Sequence, residues 1–329
     1  MDRSHIRSLL DAALAARASL PDPAHRTAFR LFNGFSEGEP SLAVDVYAST
    51  LVIHNYADDP EQNRDVIVEA ADHLRGCIEW LRAVLVKARN GKTPEEKNGR
   101  VVFGKTPDTR IHEHGVEYAV NLTMNRDTSF YLDTRNLRQW LMENMRGKSV
   151  LNTFAYTGSL GVAATAGGAS RVVQTDRNRA FLNLAKDSLS LNGFPIHKTD
   201  FLTQDFFPAV ARFKAAGQFF DCVILDPPFF STTSKGRVDL VHESARLINK
   251  VRPLINDGGL LVTINNALFL SGRDYMDTLA SLCGDGYLRL RELIPVPADF
   301  VGNALHPQVT DPAPFNHSTK IAVLDVKRK

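Results

Sequence analysis

The sequence predicts an α/β protein whose main domain is a doubly wound, mostly parallel, seven-stranded sheet. From about residue 121 onward, short runs rich in Val, Ile and Leu alternate with segments of helical period. Such runs are typical of strands buried on both faces. Regular alternation with helices places those strands in one parallel sheet with helices on both sides.

The elements of this domain follow one another in a clear order. The predicted parallel strands are "SVLNTFAYTG", "SRVVQTD", "IHKTDFL", "DCVILD" and "GLLVTIN". Helices are predicted over "SLGVAATAGGA", "NRAFLNLAKDSLSLNG", "QDFFPAVARFKAAG" and "VDLVHESARLINKVRPLI". Two further strands, "LRLRELIPVPADF" and "TKIAVLDVK", are expected to form an antiparallel pair at the sheet edge.

The first third of the chain predicts a smaller α/β domain. The segment "FRLFNGFSEGEPSLAVDVYASTLVIHNYA" reads as three strands, and "PEQNRDVIVEAADHLRGCIEWLRAVLVKAR" reads as a helix followed by a strand. A chain of 329 residues is long for one domain. We therefore expect a substrate-recognition domain over residues 1–120 and the main domain over residues 121–329.

The composition is that of an ordinary soluble protein. Hydrophobic residues make up 43% and charged residues 23%, and the net charge of +2 neither requires nor excludes nucleic acid. Cys77, Cys222 and Cys283 are far apart, without a disulfide framework or the paired spacing of a zinc site. We expect a cytoplasmic protein with no metal and no membrane partner, either a monomer or a homodimer.

A cofactor site is predicted where the first two strands of the main domain end. Gly158 and Gly161 lie at the turn into a helix, where the backbone can approach a ligand closely. Asp176 ends the next strand, and a carboxylate there accepts hydrogen bonds from a ribose diol. A nicotinamide or flavin dinucleotide fits less well, because Ala155 or Tyr156 stands where its fingerprint needs glycine.

An acceptor site is predicted at "CVILDPPFFSTTSK", where a buried strand ends in an acid. The Asp226 carboxylate and the Pro227 carbonyl can accept hydrogen bonds from an amino group, while Phe229 or Phe230 stacks on a planar ring. A flipped nucleic-acid base is a natural ligand for such a site. The alternative is that both phenylalanines pack beneath a loop.

Together these motifs resemble the class I S-adenosylmethionine-dependent methyltransferases. The ordered set "NRDTSFYLDTRNLRQWL", "VLNTFAYTGSLGVAA", "VVQTDRNRAFLNLAKDSLSLNG", "DCVILDPPFF" and "GGLLVTINNALF" is similar to the family that methylates large-subunit ribosomal RNA. This resemblance covers roughly residues 25–325 and implies a Rossmann-like sheet, an S-adenosyl-L-methionine cofactor and an RNA substrate. The family has cytosine-C5 and guanine-N7 members.

The resemblance also implies roles for individual residues. The methionine end of the cofactor would be held by Phe130, Tyr131, Asp133 and Arg135. The floor beneath it would consist of Asn152, Phe154, Thr157 and Gly158. Asp176 would hold the ribose, and Asp205 with Phe206 matches the adenine position better than Asp200 with Phe201. Asp133 and Asp205 are alternatively helix caps.

The acceptor motif "TINNALF" separates the two branches of the family. Cytosine-C5 transfer needs a thiolate, placed just after the fifth strand in those enzymes, and this chain has no cysteine there. Asn265-Asn266 resembles the guanine-N7 branch instead. We therefore predict methylation of a base nitrogen, with a catalytic set of Asp226, Pro227, Phe229 and Asn265. The alternatives are a cytosine-C5 enzyme, an RNA-binding protein with an inactive methyltransferase fold, and a small planar acceptor.

Two loops are further candidates for substrate contact. The C-terminal loop contributes His306, Asn316, His317, Ser318 and Lys320, which either bind substrate or satisfy a crossing of the sheet edge. His242 is expected on a helix surface. A further set of cations forms either a basic edge or a solvated loop in which Glu95 and Glu96 dilute the charge: Lys87, Arg89, Lys92, Lys97 and Arg100. Relatives usually begin with a small RNA-binding barrel, which we expect this chain to lack.

Overall fold

The computed structural model describes residues 3–228, 230–233, 236–301 and 310–328. The α-helices in these ranges are α1 Arg3–Ala16, α2 Gly34–Glu37, α3 Arg64–Cys77, α4 Pro94–Asn98, α5 Arg135–Asn144, α6 Ser159–Ala166, α7 Arg179–Leu191, α8 Phe206–Ala215, α9 Leu240–Val251, α10 Gly272–Cys283 and α11 Ala298–Val301. Short 3₁₀ turns occupy Leu132–Thr134, Lys198–Asp200 and Arg252–Leu254.

The strands form two large sheets and two hairpins. In chain order they are β1 Ala28–Asn33, β2 Leu42–Tyr47, β3 Thr50–Asn55, β4 Ala83–Ala88, β5 Arg100–Phe103, β6 Arg110–Glu113, β7 Val116–Ala119, β8 Ser149–Thr153, β9 Arg171–Asp176, β10 Phe201–Thr203, β11 Phe220–Leu225, β12 Phe230–Thr233, β13 Gly236–Asp239, β14 Ile255–Asn265, β15 Leu288–Ile294 and β16 Lys320–Val326. The hairpins are β6–β7 and β12–β13.

The chain divides into two compact units, Met1–Leu132 with Pro297–Gln308 and Asp133–Val296 with Val309–Lys329. The first unit contains a five-stranded sheet in the order β1-β2-β3-β4-β5, in which only the β3–β4 pair is parallel. Helices α1 and α3 contribute Leu10 and Leu74 to the same buried cluster as Val44 and Leu51 of the sheet. The helices therefore cover one face of this sheet.

The second unit contains the predicted seven-stranded sheet, in the order β10-β9-β8-β11-β14-β16-β15. The first five of these strands run parallel, and β16 pairs antiparallel with both β14 and β15. On β11, Val223 and Leu225 point into one apolar cluster while Cys222 and Ile224 point into the other. The strand is buried on both faces, and this confirms the predicted α/β architecture.

The division into units differs from the boundary that we expected near residue 120. Residues 121–132 stay with the first unit, where the Tyr47 hydroxyl donates to the Phe130 carbonyl at 2.9 Å. The segment containing Asp299 also joins the first unit, since its carboxylate accepts from the Arg30 amide at 2.9 Å. These contacts are distant in sequence, so composition and periodicity do not reveal them.

Within the described ranges, none of the helices is both long enough and apolar enough to cross a lipid bilayer.

Candidate active site

The carboxyl ends of β8, β9, β10 and β11 lie side by side at one edge of the second unit's sheet. The parallel register pairs Thr153 with Thr175, Thr203 with Asp176, and Leu225 with Thr153. Open α/β sheets bind ligands at this edge, beside the point where the strand order reverses. The loops after these strands therefore define the candidate site.

The loop after β8 has an unusual backbone. Phe154 and Tyr156 both have φ near +51°, and Gly158 has φ +76°. Left-handed φ values are uncommon for bulky side chains and concentrate at functional sites. Glycine is required at 158 also because a Cβ there would lie 2.4 Å from the Ala185 Cβ. The predicted cofactor floor is thus a tightly shaped loop.

Asp176 at the end of β9 is joined to this loop. Its carboxylate accepts hydrogen bonds from the backbone amides of Tyr156 at 2.9 Å and Asn178 at 2.8 Å. Burial nevertheless raises the pKa of this carboxyl above its ordinary value, with the two backbone bonds opposing the shift. The group is held rigidly where a ribose diol was expected.

The structure separates the two candidates for the adenine position. Asp200 is buried and forms an ion pair with Arg171 at 2.6 Å, at the amino end of β9. Asp205 follows the carboxyl end of β10 and occupies the N-cap position of α8, but its side chain makes no capping hydrogen bond. The Asp205 carboxylate therefore remains suited to a ligand.

Two rings and one amide complete this part of the edge. Phe154 stacks on Phe206 with the ring centroids 4.7 Å apart. Asn152, near the end of β8, is buried, and its Oδ1 has no hydrogen-bond partner among the described residues. Thr157 is also buried within the loop.

The predicted residues for the methionine end fall into different units. Phe130 and Tyr131 lie in the first unit, where Phe130 is buried and Tyr131 is 44% exposed and donates from its hydroxyl to Asp127 at 3.0 Å. Asp133 and Arg135 lie in the second unit, with Arg135 opening α5. The four predicted residues therefore divide into two pairs, one in each unit.

Asp133 does not cap the helix that follows it. The N-cap of α5 is Thr134. Asp133 Oδ2 accepts instead from the Thr319 hydroxyl at 2.8 Å, and its buried Oδ1 has no partner in the part of the chain that the structure describes. The carboxylate is thus available to a cationic or amino ligand.

Asp226, directly after β11, is the acid of the predicted acceptor site. Burial, and then the nearby Asp133 carboxylate, raise the pKa of Asp226 to about 7. A carboxyl group whose pKa is strongly raised by burial and by a neighbouring carboxylate is typical of functional sites. Pro227 is buried behind it. Phe229 lies outside the described residues, as does the side chain of Phe230.

Asn265 has a supporting position rather than an open one. Its side chain accepts from the Ala267 amide at 2.9 Å and donates to the Ser244 hydroxyl at 3.0 Å, and only 1% of the residue is exposed. The neighbouring Asn266 has a buried Oδ1 without a partner among the described residues. Asn266 is therefore better placed than Asn265 to meet a ligand, which the sequence did not distinguish.

The C-terminal loop residues hold the sheet edge together. Asn316 accepts from the Val296 amide and donates to the Val296 carbonyl, at 2.9 and 2.8 Å. His317 Nδ1 accepts from the Thr319 amide at 3.1 Å. Asn316 therefore satisfies backbone groups where the chain crosses the sheet edge, which was the alternative to contact with a substrate. His306 and the side chain of His242 lie outside the described residues.

Lys320 is a buried cation in the same region. Its Nζ donates to the carbonyls of Ala267 and Ser318, at 3.0 and 2.6 Å, and burial lowers its pKa to about 8. It ties the loop after β14 to the start of β16. The Lys320 ammonium group is thus engaged by two backbone carbonyls, those of Ala267 and Ser318.

The basic edge predicted in the first unit is smaller than expected. Lys87 is buried, and its Nζ donates to the carbonyls of Asn98, Asn125 and Asp127. Arg89 lies 3.7 Å from the Asp127 carboxylate. Lys87 lies on β4, and its side chain reaches the end of α4 and the loop that contains Asn125 and Asp127, which charge counting does not reveal.

The sequence analysis did not identify two exposed apolar residues in the loop after β14, the strand that pairs with β11. Leu268 and Phe269, in the loop after β14, are 51% and 69% exposed. A large aromatic ring in the loop that follows a buried strand was the available signal. Thr319, which holds Asp133, was also missed.

The site suits S-adenosylmethionine on the chemistry of its donors and acceptors. The adenosine and the methionine amine supply N–H and O–H donors, whereas the edge supplies acceptors: the carboxylates of Asp176 and Asp205 and the unpartnered oxygens of Asn152 and Asp133. The pattern fits a nucleoside carrying an amino group.

A family profile described as S-adenosylmethionine-dependent methyltransferase matches residues 94–285, which is more than half of the chain. The chain belongs to this family and is an S-adenosylmethionine-dependent methyltransferase. It is similar to proteins named ribosomal RNA large subunit methyltransferase I. The protein from Photobacterium profundum is 32% identical over 79% of this chain and 67% of its own length. The Aeromonas salmonicida protein is 35% identical over 72% of this chain and 60% of its own length.

These relatives support the large-subunit methyltransferase I type. They do not support the closer likeness to the guanine-N7 branch that we expected from Asn265-Asn266, nor the expected lack of an N-terminal barrel. The chain spans about two thirds of the length of these curated relatives.

Solved structures share the fold. One described as a methyltransferase complexed with SAH has a TM-score of 0.87 at 22% identity, covering 99% of this chain and 82% of that chain. A SAM-dependent methyltransferase from Agrobacterium tumefaciens has a TM-score of 0.61 at 17% identity, covering 88% of each chain. Both likenesses concern the architecture.

Proposed function

We propose that this chain transfers a methyl group from S-adenosylmethionine to a nitrogen of a base in RNA, with ribosomal RNA as the first candidate. The observation that carries the proposal is the pair of acidic positions at one sheet edge. Asp176 ends β9 on one side of β8, and Asp226 follows β11 on the other. The two positions suit a methyl donor on one side of β8 and a methyl acceptor on the other.

On the cofactor side of the site, each hydrogen-bond acceptor of the protein has one role. Asp176 accepts from the ribose hydroxyls, and Asp205 accepts from the adenine amino group beside the Phe206 ring. Asn152 and the loop over Phe154, Thr157 and Gly158 form the floor. In the second unit, Asp133 and Arg135 hold the methionine end. Asp133 supports this role with its unpartnered buried Oδ1.

On the acceptor side, the chain has to position a base rather than activate it. S-adenosylmethionine supplies an electrophilic methyl group when bound, and a ring or amino nitrogen already carries the lone pair that attacks it. Asp226 and the Pro227 carbonyl accept from the base, and an aromatic ring of Phe229 or Phe230 stacks on it. Asn265 acts as a positioning residue for the loop after β14.

The cysteines support a nitrogen acceptor. Carbon-5 of cytosine becomes nucleophilic only after a thiolate adds to the ring. Cys222 lies within β11, is fully buried, and has a pKa raised by burial to about 12. Cys283 ends α10, and Cys77 ends α3 in the first unit. None of the three cysteines lies directly after β14, where such a thiolate would act.

RNA as the substrate rests on the printed names of the relatives, and a cytoplasmic location follows from the same proposal. Three free cysteines suit a reducing compartment. Exposed Phe269 supplies an aromatic surface of the kind on which unpaired bases stack.

The direct test is methyl transfer with labelled cofactor. The protein is incubated with radiolabelled S-adenosylmethionine and either total RNA or the small-molecule extract from a strain lacking the gene. We expect label in the RNA fraction and its loss in Asp226→Ala. Label confined to the small-molecule fraction would contradict the RNA assignment, and no label in either would favour an inactive RNA-binding protein.

A further inference from the structure

Three metal-ligating side chains meet on the surface of the first unit, and none of them is assigned to methyl transfer. Asp11 lies on α1, while His73 and Cys77 lie one turn apart on α3. Residues four positions apart share a face of a helix, so the imidazole and the thiol point the same way. A third ligand comes from the other helix.

The ligand atoms are close enough to surround one ion. His73 Nε2 lies 2.7 Å from Asp11 Oδ1 and 3.8 Å from Cys77 Sγ, and all three atoms lie within 4.8 Å of one another. Zinc bonds of about 2.0–2.3 Å in a tetrahedral arrangement require ligand atoms about 3.3–3.7 Å apart. Rotamer adjustments of less than about one ångström satisfy this requirement.

The two helices hold these side chains in a fixed relation. Ile6 and Leu10 of α1 share a buried cluster with Ile67 and Leu74 of α3. An ion pair between Arg7 and Glu69 joins the helices one turn before Asp11 and His73. The packed backbone therefore presents the three ligands together before an ion binds, which lowers the entropic cost of binding.

The site is accessible and leaves room for a fourth ligand. The Asp11 side chain is 59% exposed, the His73 side chain is 16% exposed, and Cys77 is exposed. Three protein ligands with an open fourth position are typical of zinc sites that keep a bound water.

We propose that Asp11, His73 and Cys77 form a zinc-binding site that fastens α1 to α3. A thiolate with an imidazole and one carboxylate selects Zn²⁺ over Mg²⁺ or Ca²⁺, which prefer oxygen ligands. On binding, the Cys77 thiol releases its proton to solvent, and neutral His73 carries its proton on Nδ1 so that Nε2 offers a lone pair to the metal. The bond between His73 Nε2 and Asp11 is replaced by a bond from each to the metal. This site was not predicted from the sequence, because Asp11 is far along the chain from His73 and Cys77.

The test is a zinc titration of the metal-free full chain in competition with a chromophoric chelator. We expect the wild type to bind one equivalent, and Cys77→Ser and His73→Gln each to weaken binding by more than about tenfold. Cys283→Ser is the matched control and should bind zinc like the wild type.

Cobalt provides an independent readout of the thiolate. Co²⁺ bound at the site should give a thiolate-to-cobalt charge-transfer band that Cys77→Ser abolishes while circular dichroism shows a folded chain. The proposal is overturned if the folded wild type binds no zinc, or if Cys77→Ser binds it with unchanged affinity. Methyl transfer does not enter either measurement, so the outcome is independent of the proposed function.

Discussion

The Asp176 carboxylate accepts a hydrogen bond from the backbone amide of Tyr156, with 2.9 Å between the nitrogen and Oδ2. This bond connects the carboxyl end of β9 to the loop after β8, in which Phe154 and Tyr156 have left-handed φ. A carboxylate fixed in this way needs little reorganisation when a ribose arrives. The loop after β8 and the Asp176 carboxylate are therefore held together before the cofactor binds.

Asp176→Ala should weaken S-adenosylmethionine binding by about a hundredfold. The change removes about two charge-assisted hydrogen bonds to the ribose, roughly 3 kcal/mol in total. Calorimetry on the wild type and the variant measures the difference. Asp187→Ala, an exposed residue of α7, is the control and should bind normally. An unchanged affinity in folded Asp176→Ala would rule out the ribose assignment.

Asp205→Ala and Asp200→Ala should separate cofactor binding from folding stability. The Asp205 carboxylate makes no capping bond, so its removal should weaken cofactor binding about tenfold with little change in the free energy of unfolding. Asp200 is paired with Arg171, so its removal should lower stability and leave affinity nearly unchanged. Calorimetry and urea denaturation measure the two quantities. The reverse pattern would move the adenine to Asp200.

Asp226→Asn should stabilise the protein more at pH 8 than at pH 5. The folded pKa is raised from 3.8 to about 7, so the folded state binds the extra proton between these pH values. The wild type therefore loses stability as pH rises through this window, whereas the amide does not titrate. The stability advantage of the variant should grow by about 2.5 kcal/mol between pH 5 and pH 8.

Urea denaturation at both pH values measures this advantage, with Asp187→Asn as an exposed control. Equal effects of Asp226→Asn at pH 5 and pH 8 would show that Asp226 titrates normally in the folded protein.

The double substitution Cys222→Ser, Cys283→Ser should leave methyl transfer largely intact. A nitrogen acceptor needs no attacking thiolate, and Cys222 is too buried to serve as one. Some stability should be lost, because a hydroxyl replaces a fully buried thiol at position 222. Turnover at saturating substrate is the measurement. Abolished turnover in a folded double mutant that still binds cofactor would restore the cytosine-C5 alternative.

The main sheet was predictable because each of its strands carries its own local signal. The strand β11 carries apolar residues toward both faces of the sheet, namely Val223, Ile224 and Leu225. It ends at Leu225, shortly before Pro227, which cannot donate to a sheet ladder. The unit boundary was not predictable in this way, because Asp299 joins the first unit through a bond to Arg30, far away in sequence. Local periodicity contains no information about such contacts.

Parts of the site followed from sequence and parts did not. Asp176 and Asp226 were predicted because acids at strand ends have a defined place in a parallel sheet, and the structure places them at the end of β9 and directly after β11. Asn265 was expected in the catalytic set, and substrate contact was one of two expectations for Lys320. The polar atoms of both side chains bond to neighbouring groups of the protein. A polar residue that supports a loop and one that meets a ligand look alike in sequence, since the difference depends on tertiary neighbours.

The most direct test of the central claim is the identity of the methylated atom. RNA labelled by the protein with radioactive methyl donor is digested to nucleosides, and the labelled nucleoside is identified by mass spectrometry. We predict a methyl group on a base nitrogen, formed without a covalent adduct between protein and RNA. A methyl group on carbon-5 of cytosine, or a protein–RNA adduct trapped through a cysteine, would contradict the account.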